Sequence, residues 1–186
     1  MSRLTITDLP LAGLKLVERM NLGDSRGFLS RLFCAEELAS AGWQKPIAQI
    51  NYTLTAKRGA VRGMHFQRPP DAEMKLVSCL RGRVWDVAVD LREGSDTLLH
   101  WHGEELSADN QRALLIPEGF AHGFQTLTDD VELLYCHSAA YQCETEGGLN
   151  PQDLKLAIEW PLEISELSDR DAHHPMIDQD FAGFVV

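Results

Sequence analysis

The sequence of 186 residues has no long hydrophobic run, and its apolar stretches fall short of the roughly 18 residues that a membrane-spanning helix requires. Charged side chains interrupt residues 1–20, so this segment does not have the unbroken apolar core of a secretory signal. Repeats, low-complexity segments and linkers are also missing. We therefore expect a cytoplasmic protein with no membrane role, folded as a single domain over residues 1–186.

Cysteine and positive charge are scarce as well. The four cysteines have no paired spacing and lie mostly in apolar segments, which predicts reduced thiols instead of a disulfide framework. A zinc site built from Cys136, His137 and Cys143 is a minor alternative. With 17 basic and 28 acidic residues the formal charge is −11. This charge argues against nucleic acid as a partner, because binding a phosphate backbone requires a clustered basic surface.

The basic residues that are present cluster locally. Seven of the 17 lysines and arginines lie within residues 57–83. A basic patch in an acidic protein suits a small anionic ligand, such as a phosphorylated or nucleotide-linked substrate. The same residues also suit a solvated strand face, and composition alone does not choose between these two interpretations.

The pattern of apolar residues predicts an all-β protein. From about residue 45 onward, short apolar runs are separated by Gly, Pro, Asp and Asn, which is typical of a sandwich or barrel. The clearest strand is RVWDVAVDL, residues 83–91, whose side chains alternate with a period of two. At least eight strands leave no room for crossover helices, so we expect a largely antiparallel sheet folded into two layers or a closed barrel. A short helix is predicted over residues 34–42, with less regular helical turns around residues 165–173. The other predicted strands span residues 47–54, 60–67, 74–80, 97–103, 113–117, 121–127, 131–137 and 154–160.

Two polar side chains align with the apolar faces of predicted strands. In VELLYCH, residues 131–137, the period of two directs Tyr135 inward, and in MKLVSCL, residues 74–80, it puts Lys75 on the apolar side. An unpaired buried ammonium group is costly. Lys75 therefore either has a function in the interior or reaches water from the beginning of its strand.

A further signal is the Pro-x-Gly-x-x-His spacing that ends at His122 in IPEGFAHGF, residues 116–124, which resembles the second half of the cupin signature. Cupins are double-sheet jelly rolls with a ligand cavity inside. Metal-binding cupins supply two histidines two residues apart in the first half, whereas Gln67 follows His65 here and Lys75 lies close by. One certain imidazole beside a cation is too few ligands for a tight site, so we expect no metal.

Without a metal, the polar groups inside the predicted barrel must perform acid–base chemistry or simple binding. Inversion of a carbon next to a carbonyl requires a base on one face and an acid on the other. It also requires a cation or hydrogen-bond donor at the oxygen that becomes an enolate. His65, Tyr135 and Lys75 supply these three kinds of group.

Linked motifs run along residues 17–177. They are DSRGFLSRLF, QIN, VRGMHFQRPP, MKLVSCLRGRVWDVAVDLREGS, LSADNQRALLIPEGFAHGFQTLTDD, ELLYCHSAAY, EGGLNPQDLKLAIEWP and LSDRDA. Together they resemble the dTDP-4-dehydrorhamnose 3,5-epimerases, the RmlC-like branch of the cupins. The resemblance implies one cupin domain over residues 1–186, an all-β double-sheet jelly roll (β-barrel) with a short N-terminal helix and C-terminal helical turns. It also implies a homodimer that exchanges N-terminal strands.

The resemblance implies an isomerase of deoxysugar biosynthesis that inverts C3, C5 or both in a dTDP-linked 4-keto-6-deoxyhexose, with no metal and no redox cofactor. It makes His65 the base that removes protons beside the C4 ketone, with Asp171 as the carboxylate that orients it. Tyr135 becomes the acid on the opposite face, and Lys75 lies near the C4 oxygen. The implied substrate-binding positions are Arg26 and Arg62 at the diphosphate, and Gln49, Asn51, His122, Tyr141, Glu146 and Arg170 elsewhere.

Three positions depart from the family pattern. Arg31 replaces a glutamate after the RGxF motif, Ile50 replaces a polar residue, and Leu149 stands where an aromatic residue is usual. These departures leave the implied base, acid and lysine intact. They leave open which nucleotide sugar is bound and whether one or two carbons are inverted.

Three other functions stay open on the sequence. A metal-dependent cupin oxygenase would use His65, His122 and a carboxylate such as Glu73. A single-position epimerase would act on another nucleotide-linked keto sugar with the same acid and base. A non-catalytic sugar-binding cupin would keep the fold and bind its ligand without exchanging protons.

Overall fold

The computed structural model describes residues 2–186, which form mainly β-strands. Two short helices are present, α1 (Ala35–Ala39) and α2 (Asp169–Ala172). The strands are β1 (Leu4–Asp8), β2 (Lys15–Arg19), β3 (Asn21–Asp24), β4 (Gly27–Ser30), β5 (Gln49–Thr55), β6 (Ala60–Gln67), β7 (Lys75–Arg81), β8 (Arg83–Asp90), β9 (Trp101–Ser107), β10 (Arg112–Ile116), β11 (Phe120–Thr126), β12 (Val131–His137), β13 (Glu146–Gly148) and β14 (Glu166–Leu167).

Hydrogen bonding divides these strands into two main sheets and one hairpin. The first sheet has the order β1-β2-β10-β7-β12-β5, and the second has the order β13-β6-β11-β8-β9. Strand β14 pairs in parallel with β6, whereas the other pairs are antiparallel, and β3 and β4 form the separate hairpin. The predicted all-β double-sheet jelly roll is therefore confirmed, and its two sheets stay separate in the described residues, without closing into one barrel.

The alternation predicted for residues 83–91 is visible in the packing of β8. Val84 and Ala88 are buried between the two sheets, whereas Val87 and Val89 are buried on the opposite face against the C-terminal segment. Full burial of a valine or leucine side chain contributes about 1.5–3 kcal/mol. The C-terminal segment is thus held on the outer face of the second sheet. Strand β14 pairs with β6, and α2 follows β14 directly in the chain, so α2 lies against β6.

Most predicted strands form within two residues of their expected bounds, but two predictions need correction. The strand predicted over residues 97–103 begins only at Trp101, because the preceding residues turn and Leu99 has a φ of 65°. The strand predicted over residues 154–160 is wrong. Leu156 and Trp160 do pack on the apolar cluster of the second sheet, but as loop residues without strand partners.

The N-terminal region also differs from expectation. The helix predicted over residues 34–42 is shorter, spanning Ala35–Ala39. The pattern of apolar residues did not indicate strands β1 to β4, although the family resemblance implies N-terminal strands. The predicted C-terminal helical turns are present as α2. No helix in residues 2–186 is long and apolar enough to cross a membrane. The four cysteines are free thiols, as expected.

The irregular pairing of β6 with β11 around Gly63 provides a test of the fold. Gly63 has a φ of +135°, and a Cβ there would lie 2.5 Å from the Cα of Gly123. We predict that Gly63→Ala lowers the free energy of unfolding by more than the about 1–3 kcal/mol that a strained backbone alone costs. Urea denaturation measures this change.

Gly27→Ala is the matched control, because Gly27 has a nearly equal φ of +131° and open space around it. The loss in the free energy of unfolding caused by Gly27→Ala should reflect backbone strain only. Equal destabilisation by the two substitutions would show that the close approach of Gly63 to Gly123 does not limit stability.

Candidate active site

A cavity of about 220 Å³ lies between the two main sheets. Strands β5, β7 and β12 of the first sheet form one wall, and β6 and β11 of the second sheet form the other. The cavity therefore receives side chains from two directions. The predicted site residues that line it are Asn51, Arg62, His65, Lys75, His122, Tyr135, Tyr141 and Glu146.

His65 on β6 is oriented by Asp171 on α2. The imidazole Nε2 lies 2.7 Å from Asp171 Oδ1, although the two residues are 106 positions apart in the chain. Asp171 Oδ2 also accepts a hydrogen bond from the backbone N–H of Gly63 at 3.2 Å. The carboxylate thus holds both the ring of His65 and the backbone two residues before it.

The position of Asp171 follows from a helix cap. Ser168 lies at the N-cap of α2, and its Oγ accepts a hydrogen bond from the Asp171 N–H at 3.1 Å. Burial by itself would raise the pKa of Asp171, but the hydrogen bond with His65 and its positive charge when protonated hold this pKa below its usual range. An ionised carboxylate only accepts hydrogen bonds, so Nε2 of His65 carries the ring proton and Nδ1 is free to take another.

Tyr135 reaches the cavity from β12, on the wall opposite His65, as the period of two predicted. Its side chain is buried, and its ring contacts that of His122 edge to face at a centroid distance of 5.9 Å. Burial raises the pKa of Tyr135, and the nearby negative charge of Asp86 raises it further. The phenol is therefore protonated over the physiological pH range and can donate.

His122 belongs to a second buried pair of imidazole and carboxylate. Its Nε2 lies 2.9 Å from Asp86 Oδ2 and 3.0 Å from Asp86 Oδ1. His122 and His65 are register partners on the adjacent strands β11 and β6. The aspartate was not singled out in the sequence, although its alternation in β8 with Val84 and Ala88 indicates that it faces inward.

Lys75 does not reach water from the beginning of β7; its Nζ is buried and lies 3.2 Å from Glu73 Oε1. The other carboxylate oxygen of Glu73 lies 2.8 Å from Nδ1 of His137, so one carboxylate serves two basic groups. Burial by itself would raise the pKa of Glu73, but the hydrogen bond with His137 and the charge of Lys75 hold it below its usual range.

Sequence reasoning missed the site position of His137. Its ring stacks with that of Tyr135 at a centroid distance of 6.0 Å, and its Nε2 lies 3.4 Å from Asn51 Nδ2. The signal was available, because His137 lies two residues after Tyr135 on β12 and therefore faces the same way.

Most of the remaining substrate-binding candidates lie at the mouth of the cavity. Arg62 is exposed, forms no ion pair within residues 2–186, and also lines a second cavity of about 510 Å³ together with Arg170 and Asp171. At the rim, the Tyr141 hydroxyl donates to Glu146 at 2.9 Å, and Arg170 pairs with the same carboxylate.

Gln49 sits beside this mouth, where it accepts from the Tyr141 N–H and donates to Asn51, each at 3.0 Å. Arg26 is the predicted residue that the structure does not bring to the cavity. It lies on the exposed β3–β4 hairpin, and its nearest partner is Asp24 at 2.5 Å.

The three departures from the family pattern all lie outside the cavity lining. Arg31 pairs with Glu37 of α1, Ile50 is exposed on β5, and Leu149 is buried in the apolar cluster behind the second sheet. The acidic and basic groups that face the cavity are therefore untouched by these substitutions.

The metal sites considered from the sequence are not assembled. Cys136 lies on the face of β12 opposite His137 and packs in an apolar cluster, while Cys143 is exposed. Glu73 binds Lys75 instead of joining His65 and His122. Among residues 2–186, one group of three side chains has the spacing of metal ligands: His65, Asp171 and His174.

Comparison with known proteins gives concordant matches. The family model for dTDP-4-dehydrorhamnose 3,5-epimerase matches residues 8–179. The dTDP-4-dehydrorhamnose 3,5-epimerase of Salmonella typhimurium is 43% identical over 168 residues, which cover 88% of this chain and 90% of the relative. The dTDP-4-dehydrorhamnose 3-epimerase of Streptomyces niveus is 41% identical over 149 residues, covering 80% of this chain and 72% of the relative.

A crystal structure from Legionella pneumophila is similar over nearly the whole fold. It is dTDP-6-deoxy-D-glucose-3,5-epimerase RmlC in complex with dTDP-4-keto-L-rhamnose. The TM-score is 0.90 at 35% sequence identity, and the match covers 98% of this chain and 99% of the other.

The shared carboxylate of Glu73 predicts a pH-dependent stability. The pKa of Glu73 is lower in the folded state than in the unfolded state, where it is about 4.3. Glu73 therefore makes its full contribution to the free energy of unfolding above about pH 4.3. This contribution is lost as the pH falls through the folded-state pKa. We predict that Glu73→Gln costs about 3–5 kcal/mol at pH 7, because Lys75 is left buried without its counter-charge. Urea denaturation at pH 7 and pH 3 should show this difference shrinking in acid.

Glu105→Gln is the control, since Glu105 forms an exposed pair with Arg83 at 3.8 Å. Its removal should change the stability by about 0.5 kcal/mol or less. A Glu73→Gln effect that is equally small at pH 7 would contradict the buried pairing.

Proposed function

The chain belongs to the dTDP-4-dehydrorhamnose 3,5-epimerase family of isomerases, and we propose that it inverts C3, C5 or both in a dTDP-linked 4-keto-6-deoxyhexose during deoxysugar biosynthesis. One observation carries this proposal. His65 and Tyr135 enter the same cavity from opposite sheets, so a sugar ring between them meets a base on one face and an acid on the other.

In the proposed reaction, Nδ1 of His65 removes the proton from a carbon beside the C4 ketone. The electron pair of that C–H bond moves toward C4, and the carbonyl oxygen becomes an enolate oxygen. The Tyr135 hydroxyl then delivers its proton to the opposite face of the same carbon, and the carbonyl reforms. The tyrosinate regains a proton from solvent and His65 loses the one it took, so the enzyme returns to its initial state.

Two features support these roles. The ionised Asp171 fixes the ring proton of His65 on Nε2 and stabilises the imidazolium that forms, which favours Nδ1 as the base. The buried ammonium group of Lys75 supplies a positive charge for the enolate oxygen, and such a preorganised charge acts strongly in a site that excludes water.

The basic groups at the mouth suit the nucleotide diphosphate. We propose that Arg62 and Arg170 bind its oxygens, since a guanidinium group pairs with phosphate through two hydrogen bonds. Gln49, Asn51, His122, Tyr141 and Glu146 are proposed to contact the sugar and the nucleoside. The dTDP-sugar bound in the Legionella pneumophila relative supports a ligand of this class.

A deuterium-exchange experiment tests the reaction. In heavy water, the protein should place deuterium at C3, C5 or both of a dTDP-4-keto-6-deoxyhexose, and NMR shows which carbon is labelled. His65→Asn should slow this exchange by at least about 100-fold to 10,000-fold, because general acid–base catalysis contributes that much. Asp171→Asn should also slow it by disordering the base.

Asp169→Asn is the matched control, because Asp169 lies on the same helix and is exposed. Its exchange rate should equal that of the wild type. Exchange that survives His65→Asn would eliminate His65 as the base. Tight binding of the sugar without any exchange would favour the non-catalytic alternative.

We also propose that the protein works in the cytoplasm as a homodimer. Free cysteines accord with a reducing compartment. The β3–β4 hairpin exposes Phe28 and Leu29, which are 65% and 62% accessible, and the edge strand β5 exposes Ile50, Tyr52 and Leu54. Apolar surface of this kind is typical of an interface.

Dimerisation gives the exposed Arg26 a role. Since it lies outside the cavity of its own chain, we propose that it reaches the diphosphate in the cavity of the second subunit. Co-expression of inactive Arg26→Ala and inactive His65→Asn chains should then restore about a quarter of the wild-type activity, because half of the dimers are mixed and each has one intact site.

Light scattering provides the assembly control. Phe28→Ser combined with Leu29→Ser should shift the mass from twice 20.8 kDa toward the monomer, whereas Leu154→Ser, at a distant residue that is 93% exposed, should not. A wild-type monomer would contradict the dimer. If the protein is a dimer but co-expression of the two inactive chains does not restore activity, Arg26 does not act in the cavity of the second subunit.

A further inference from the structure

A third histidine lies against the pair of His65 and Asp171, and the proposed reaction does not use it. The ring of His174 contacts that of His65 edge to face, with a centroid distance of 5.7 Å and an interplanar angle of 74°. It occupies space that exists because residue 148 is glycine: a Cβ at Gly148 would overlap the His174 ring. Gly148 is the register partner of His65, so this space opens directly beside the proposed base.

The free ring nitrogen of His174 is directed at the carboxylate. Its Nε2 is buried and has no hydrogen-bond partner within residues 2–186, yet it lies 3.6 Å from Asp171 Oδ1. The same oxygen lies 2.7 Å from Nε2 of His65. Three potential metal-ligand atoms, one from each residue, all lie within 4.8 Å of one another.

We infer that His65, Asp171 and His174 form a binding site for a divalent transition-metal cation such as Zn²⁺, and that the bound cation inhibits the epimerase. Two imidazoles and one carboxylate are common zinc ligands, and donors about 2.0–2.2 Å from a tetrahedral metal stand roughly 3.3 Å apart. The distances of 2.7 and 3.6 Å bracket this value. Water or a substrate oxygen would fill the fourth position.

The surrounding charge favours a reversible site. Asp171 supplies one negative charge, and the adjacent guanidinium group of Arg170 is already paired with Glu146. The site therefore neither repels a dication strongly nor holds it as tightly as a set of thiolates would. Such intermediate affinity for a dication is expected of a reversible inhibitory site, whereas a permanent structural site binds its metal more tightly.

Inhibition follows from the tautomer of His65 and rests on its proposed role as base. The hydrogen bond to the ionised Asp171 favours the neutral tautomer of His65 that has its proton on Nε2 and a lone pair on Nδ1. A cation on Nε2 requires the lone pair of that nitrogen, so the single proton of the neutral ring moves to Nδ1. No proton is gained or lost, but the nitrogen that would accept the substrate proton is now occupied.

The test uses the full-length protein with Zn²⁺ and Co²⁺. We expect one equivalent of Zn²⁺ to bind by calorimetry, Co²⁺ to give the visible absorption of a tetrahedral site, and Zn²⁺ to inhibit deuterium exchange until a chelator is added. Loss of even an outer contact to a metal ligand costs about 10-fold to 100-fold in affinity. His174→Gln should therefore weaken Zn²⁺ binding at least tenfold, and the Zn²⁺ concentration that halves the variant's own metal-free exchange rate should rise by the same factor.

His173→Gln is the matched control, because the neighbouring His173 is exposed. It should bind and respond to Zn²⁺ as the wild type does. Nitrogen-15 NMR of the wild type gives a readout that needs neither a variant nor activity: Zn²⁺ should move the His65 ring proton from Nε2 to Nδ1. The inference would be overturned if wild type and His174→Gln bound Zn²⁺ equally well, or if zinc binding did not change the tautomer of His65. Inactivity of the metal-free enzyme would refute only the proposed function.

Discussion

The hydrogen bond between His65 and Asp171 is the contact on which the arrangement of the site depends. It joins a central position of β6 to a helix of four residues that lies 106 positions later in the chain. Such a short helix has little stability of its own. Its place is set by the Ser168 cap, by the pairing of β14 with β6 and by the apolar packing of the C-terminal segment on the second sheet. The C-terminal packing therefore determines the position of the carboxylate that orients His65.

Three imidazoles face the cavity, and each is paired with a different carboxylate: His65 with Asp171, His122 with Asp86, and His137 with Glu73. Buried polar groups of this kind are costly unless each finds a partner. The pairing orients each ring before any ligand binds. A site whose hydrogen bonds are already set needs little rearrangement when charge develops, which is the condition for electrostatic catalysis.

Much of the fold could be predicted from alternation along the strands. The period of two identified β8 and directed Tyr135 and Lys75 inward, because one buried face imposes a regular pattern. The same rule failed at residues 154–160, where apolar side chains anchor a loop without strand pairing. Asp171 had no local signal, since its role depends on contacts with a distant strand, and motif resemblance alone indicated it. The case of Arg26 is the reverse, because its motif was recognised in the sequence, but the fold of a single chain does not place it at the cavity.

The contacts of Lys75 explain how a charged lysine is accommodated in the interior of the protein. An ammonium group has three N–H donors. One faces Glu73 at 3.2 Å and one faces the backbone oxygen of His65 at 3.4 Å. Lys75 also lines the cavity, so its third donor is available to a ligand there. Glu73 offsets the cost of burying the charge, and because it also binds His137, its negative charge is divided between two partners. This arrangement suits the role proposed for Lys75, which is to face an oxygen that becomes negative during the proposed reaction.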